Sequence, residues 1–431
     1  MQNEILEKAA AVLWGPFTLL LLIIFGGFLV IKSKMRFIMA MPKAVKNAFS
    51  AEKCGEISSL MVLSNSLAAT MGTGNIVGVA AAILSGGAGA LFWMQIAALC
   101  GMMIKFSEAA LAIKYRSLGA GPMGYLSRIK LLGKPLAVAF AVCCAAAALG
   151  SGCVTQSNSA AQALELFSIP PVWCALVFGV VSWFAAGGGI KGIMRFSSVL
   201  ILVITIGYIT MSLIVIIKFK DSLPLVFKGI LREAFCIKAV CGGAAGHTIK
   251  EAIRFGLSRG IFSNEAGMGS SAIGYSLLKS DNAAEQGMLS IAEVFADTVI
   301  CCSLTGLVLL LSGANFISEN GALAAINAFS VSLGEGYGKL CAAFIALFAI
   351  ASVCGWYIYG VKALQFLMPK SKKAEKVYRF IYALCSALGA AAAADTIWLL
   401  SDVLTGSMMI INLFGLLLLH EDIAEIISKK L

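Results

Sequence analysis

Three oxygen-bearing side chains, Thr70, Thr73 and Asn75, alternate with Gly72, Gly74 and Gly78 in the run T-M-G-T-G-N-I-V-G, inside a long apolar stretch. Hydroxyl and amide oxygens can ligate a cation or hydrogen-bond a polar ligand, and the glycines release the backbone from helical angles. A helix interrupted at bilayer depth exposes N–H and C=O groups that hydrocarbon cannot satisfy, at several kcal/mol each. Water, an ion, a ligand or other protein groups must satisfy them. The competing reading is close helix packing through small residues, for which Gly74 and Gly78 have the right spacing.

Other polar groups fall in apolar segments. In G-S-G-C-V-T-Q-S-N-S the amide of Gln156 could bond a carboxylate or an ammonium, or serve as interhelical glue. The run C-G-G-A-A-G-H-T at 241–248 offers a second helix break, with Gly243 and Ala244 at its centre, roughly 170 residues after the first. Asp297, mid-helix in F-A-D-T, is the carboxylate expected to couple to an ion or take up a proton. Ser352 and Trp356, four apart, share a helical face that could offer a hydroxyl to a cation and an aromatic lid to a ligand. Arg259 and Glu265 lie in a polar, glycine-rich segment that reads as cytoplasmic, where they could form a gate pair. Lys105 and Glu108, three apart, suit a local ion pair near a helix end.

The elements that must carry these groups are membrane helices. The chain of 431 residues is 60% hydrophobic and 13% charged, with a mean hydropathy of +0.92, outside the range of soluble domains. Apolar runs long enough to cross a bilayer number about eleven. They fall near 12–31, 58–84, 90–113, 136–162, 171–187, 194–217, 237–256, 287–312, 338–364, 377–394 and 397–420. Basic residues cluster in alternate loops: Lys32 to Lys53, Lys114 to Lys134, Lys191 with Arg195, Lys250 to Lys279, Lys362 to Arg379, and Lys429 with Lys430. By the positive-inside rule these loops are cytoplasmic, which puts the N-terminus outside and the C-terminus inside a cell membrane. The net charge of +11 is thus a topology signal, and without basic-aromatic interleaving it does not point to nucleic acid.

Two Gly-interrupted spans in corresponding places of two halves are the pattern of an inverted-repeat carrier, whose site takes a zwitterion and its coupling ion at the midplane. A channel would need a continuous polar pore. An enzyme would need a nucleophile with its base, or a metal cluster. Only His247 and His420 are present, and none of the thirteen cysteines forms a C-x-x-C pair with matching histidines. No cofactor is expected.

Four stretches together resemble the alanine or glycine:cation symporter family of the amino acid, polyamine and organocation superfamily: G-T-G-N-I-V-G-V-A with G-G-A-G-A-L-F-W-M, K-F-S-E-A-A-L-A-I-K-Y-R, F-S-N-E-A-G-M-G-S, and F-A-D-T. The resemblance implies an all-α, leucine-transporter-like fold: two inverted five-helix repeats with discontinuous first and sixth core helices, plus an extra N-terminal helix. The expected divisions are 1–50 (that helix and an amphipathic linker), 51–230, 231–422 and a tail at 423–431. It further implies sodium- or proton-driven import of a small neutral amino acid by a protein expected to be monomeric. Thr70, Gly74, Gln156, Gly243, Ala244 and Trp356 would contact the amino acid. Ala68, Met71, Asn75 and Ser352 would serve the ion. Ala244 stands where the family has an aromatic residue, implying a roomier pocket, and Ala351 removes one hydroxyl of a Ser-Thr pair.

Overall fold

A computed structural model describes residues 2–50, 57–235, 248–314, 320–392 and 394–430, and among these every regular element is helical. An N-terminal group comprises α1 (Gln2–Leu13), α2 (Pro16–Lys32) and the amphipathic α3 (Arg36–Ser50). Then follow α4 (Ser59–Thr70), α5 (Val77–Gly86), α6 (Gly89–Lys114), α7 (Pro122–Ser127), α8 (Gly133–Leu149), α9 (Thr155–Glu165), α10 (Pro171–Gly187), α11 (Gly189–Lys218) and α12 (Leu223–Phe235). The remainder forms α13 (Ile249–Asn264), α14 (Ser270–Tyr275), α15 (Ala283–Val294), α16 (Ser303–Ser312), α17 (Gly321–Leu333), α18 (Glu335–Leu367), α19 (Lys372–Gly389), α20 (Ala394–Leu418) and α21 (His420–Lys430).

Among the described residues, seven helical spans are long and apolar enough to cross a membrane, and α4 with α5, bent by 59°, makes an eighth if taken as one crossing. The other three expected spans are shorter pieces. Residues 171–187 form α10, of 17 residues, and the expected 377–394 span is α19, shifted toward the basic residues that open it. Of the expected 237–256 span, 237–247 lie outside the described residues; the described helix runs Ile249–Asn264, past the expected end, breaks, and restarts at Ser270.

α6 is the spine, buried along most of its length, with α13 and α15 packed against it. Small residues set the close approach: a Cβ on Gly256 would lie 2.4 Å from the Ala90 carbonyl oxygen, and one on Gly101 would lie 2.9 Å from the Ala266 side chain. These pairings make α13 run parallel to α6. Its start therefore lies at the end of the bundle where α5 turns into α6. At that same end Glu233 accepts the Ala88 N–H (2.6 Å) and Lys218 donates to the Ser332 carbonyl (2.6 Å). At the opposite end Lys114 pairs with Asp422 (2.6 Å), Arg116 with Asp281 (2.7 Å), and Asn47 donates to Glu285 (2.9 Å). The grouping of basic residues needs one correction here. Lys250, Arg254 and Arg259 lie on α13, before its break, and are not on the Lys279 side.

Lipid-facing surface is legible on α11, whose Val199, Val203, Ile206 and Ile217 are exposed and apolar, while Tyr208 on its other face stacks edge-on against Phe329, Phe344 and Phe348.

Candidate functional site

The first break follows from the run T-M-G-T-G-N. α4 ends as the Met71 N–H closes on the Leu67 carbonyl, Gly72 is extended, and Thr73–Asn75 make a single tight turn before α5 begins. A backbone donor freed by this break is satisfied from a different helix. Gln156 Oε1 accepts both the Thr73 N–H (3.0 Å) and the Thr73 hydroxyl (3.1 Å), while the Ser352 hydroxyl donates to the Ala69 carbonyl (2.9 Å). A side chain at Gly72 would push these groups apart, because its Cβ would stand 2.8 Å from Gln156 Oε1 and 3.0 Å from Ser352 Oγ. A wide helical turn over Gly150–Val154 precedes Gln156, whose Nε2 donates to the Ser151 carbonyl.

The second described break is N-E-A-G-M-G, between α13 and α14. Glu265, Gly267 and Gly269 all have positive φ, a geometry glycine adopts freely and glutamate does not. The helix ends are held by charges of the matching sign. Lys105 Nζ reaches the Asn264 carbonyl (2.5 Å) at the end of α13 and pairs with Glu293 (2.6 Å). Glu108 accepts the Gly269 N–H (3.0 Å) at the start of α14 and the Asn412 amide (2.6 Å), which also bonds the Gly267 carbonyl. Tyr125 in turn donates to Asn412 Oδ1 (2.6 Å), and Glu265 accepts the Ser270 hydroxyl. Lys105 and Glu108 therefore do not form the expected local pair near a helix end. Both are wholly buried and grip opposite sides of the break.

The two breaks face each other across a cavity of about 10 Å³, lined by Thr70, Gly74, Gln156, Phe262, Glu265 and Trp356 among others, with room for about one water in this closed arrangement. Beside it lies a second polar cluster. Asp297 accepts Asn75 Nδ2 (2.7 Å), the Ser263 hydroxyl (3.0 Å) and the Thr298 hydroxyl (2.8 Å), and Asn75 Oδ1 is buried with no partner. Among the described residues one buried ammonium, Lys105, is surrounded by four buried carboxylates: Glu108, Glu265, Glu293 and Asp297.

The structure thus brings together Thr70, Gly74, Gln156, Ser352 and Trp356 from the first break, α9 and α18, with Asn75 and Asp297 adjacent. Ala68 is buried within α4 and Met71 caps it. Gly243 and Ala244 lie outside the described residues. The expected Arg259–Glu265 gate pair is not formed. Arg259 instead makes a bidentate pair with Asp402 (3.1 Å for both bonds) and lies over the rings of Phe262 and Trp398, while Glu265 belongs to the buried break and not to a cytoplasmic loop. Sequence reasoning passed over Ser263, Thr298 and Asn412, and noted Glu293 only as an ionisable residue without a role. The two glycines flanking Met268 were the available signal for the break, hidden by reading the basic residues before it as cytoplasmic.

The description "Sodium:alanine symporter family" fits residues 1–429. The chain is 36% identical to the sodium/alanine symporter AgcS of Methanococcus maripaludis, over 94% of this chain and 92% of that one. It is 31% identical to the probable sodium/glutamine symporter GlnT of Bacillus subtilis, over 97% and 89%. In fold it matches a Na+-coupled sialic acid symporter solved in a substrate-bound outward-open state, with a TM-score of 0.58 at 13% identity, covering 88% of this chain and 82% of that one. With two interrupted helices meeting at a buried polar cavity, and with these matches running nearly end to end, the chain belongs to the sodium:alanine symporter family.

Proposed function

We propose that this protein imports a small neutral amino acid such as alanine or glycine with sodium, by alternating access in the cell membrane. The observation that carries this reading is the meeting of the two breaks across one cavity. Backbone N–H groups freed there favour a carboxylate and freed carbonyls favour an ammonium or a cation. In this reading Thr70, Gly74, Gln156 and Trp356 line the amino acid site. One sodium sits among the backbone of Ala68 and Met71 and the Ser352 hydroxyl. A second cation position is Asp297 with the Ser263 and Thr298 hydroxyls. A flip of the Asn75 amide would turn its unpartnered Oδ1 toward that cation.

The helices after the N-terminal one would form the two inverted five-helix repeats at 51–230 and 231–422, with the N-terminus outside, the tail at 423–431 cytoplasmic, and a single chain as the working unit. Four buried carboxylates around one ammonium support the coupling, because a low-dielectric interior cannot hold that excess of negative charge without taking up cations. The same excess would suit protons. A proton-coupled carrier of a somewhat larger neutral amino acid is therefore the second reading, and the name of the glutamine symporter relative is consistent with a larger substrate. The family is one of symporters and not of enzymes, and the channel reading finds no support.

Uptake of labelled alanine into proteoliposomes under imposed sodium or pH gradients tests the proposal. Concentrative uptake driven by sodium is expected. Gln156→Ala should abolish it while the protein still purifies as a single species, since this change strips the acceptor from the Thr73 N–H. Full uptake by Gln156→Ala would remove the amino acid site from this cavity.

A further inference from the structure

A chamber of about 380 Å³ lies just beyond the Arg259–Asp402 pair, which stands in place of the expected gate. It is walled by Glu7 and Ala10 of α1, by Trp14 in the turn after it, by Arg254, Ser258 and Arg259 of α13, and by Asp402 of α20. The same two helices reach the small cavity one turn deeper, through Phe262 and Thr405. The Arg259–Asp402 pair thus stands between chamber and breaks.

α1 packs on α20, and the turn after it is docked onto this gate. Trp14 Nε1 donates to the Asp402 carbonyl (2.8 Å), and the approach needs a glycine beside it, because a Cβ on Gly406 would stand 3.0 Å from Trp14 Nε1.

Among the described residues, two charges in the chamber wall have no ionic partner. Glu7 makes no salt bridge or hydrogen bond to them, and Arg254 contacts only the Phe255 ring (5.5 Å). The gate charges are different: Arg259 and Asp402 are used up on each other. A chamber of this size falls in the range that holds small molecules. Its free guanidinium offers a planar fork to a carboxylate, and its free carboxylate suits an ammonium. A free amino acid carries both.

We infer that this chamber is a second binding site for the transported amino acid, an antechamber in which Arg254 takes the α-carboxylate and Glu7 of the N-terminal helix takes the α-ammonium before the gate opens. The inference rests on the proposed transport function, and gives α1 a part in substrate capture.

The test is sodium-driven alanine uptake by Arg254→Gln and Glu7→Gln in proteoliposomes, after each variant is shown to elute as the native protein does. Each should raise KM by about threefold to tenfold, the loss of one charge-assisted contact that is partly screened by water, with Vmax unchanged. Arg254→Lys, which keeps the cation, should recover part of the loss. Alaninamide, which lacks the carboxylate, should compete equally well against wild type and Arg254→Gln. Unchanged KM in both Gln variants, or equal weakening of alanine and alaninamide by Arg254→Gln, would overturn the antechamber. Neither outcome touches the transport function, which fails only if the unaltered protein does not concentrate alanine.

Discussion

Lys105→Met is expected to cost the protein most of its stability, about 3–5 kcal/mol, because it removes one partner of a buried ion pair and leaves the other charged. Lys105 is the only buried ammonium among the described residues, and it serves Glu293 and the Asn264 carbonyl at once. Methionine matches its length but offers neither charge nor donor. Glu293 would then retain only the Tyr275 hydroxyl (3.4 Å), and the end of α13 would lose the cation opposite its carbonyl. Thermal melting in detergent, followed by size exclusion, should show a large downward shift or aggregation. The double variant Lys105→Met/Glu293→Gln should recover part of the loss, since the stranded charge is gone. A Lys105→Met protein as stable as the unaltered one would mean that the ammonium is not what holds the break.

That break is where sequence and structure part company. The first break was readable because Gly72, Gly74 and the interleaved oxygens sit inside an otherwise apolar run, a pattern with few explanations in hydrocarbon. Gln156 stood out for the same reason: an amide at membrane depth needs a partner. The second break was expected at 241–248, where 241–247 lie outside the described residues, and the break at N-E-A-G-M-G was passed over because its setting is less apolar. Reading Arg254 and Arg259 as topology signals then made the segment of that described break read as a loop. Their positions have other causes, one lining a chamber and the other bound to Asp402. The partners of Asp297 illustrate a second limit. Asn75 and Ser263 are 222 and 34 residues from it in the chain, and only the meeting of the broken helices makes them neighbours. Helical periodicity carries information over a few turns and none over that distance.

Asp297→Asn is expected to weaken the sodium drive of uptake, raising the sodium concentration it needs, while leaving the fold intact. The carboxylate accepts from Asn75, Ser263 and Thr298, so it has more donors around it than a neutral amide needs. The two hydroxyls can rotate to accept from the new amide group, which limits the structural cost. A cation has no such substitute: it would lose the one formal charge in its coordination while keeping neutral oxygens of similar geometry. Loss of one charge-assisted ligand is worth about 1.5–3 kcal/mol, so the sodium concentration for half-maximal uptake should rise roughly tenfold to a hundredfold. The measurement is alanine uptake into proteoliposomes across a sodium titration at fixed membrane potential, beside a melting curve to show that folding survives. An unchanged half-maximal sodium concentration in a stable protein would place the coupling ion elsewhere, with the Ser352 and Ala69 corner of the first break next in line. Sodium dependence lost but replaced by a steep dependence on an imposed pH gradient would favour the proton reading, because Glu108 and Glu265 would remain as buried carboxylates able to take up the charge.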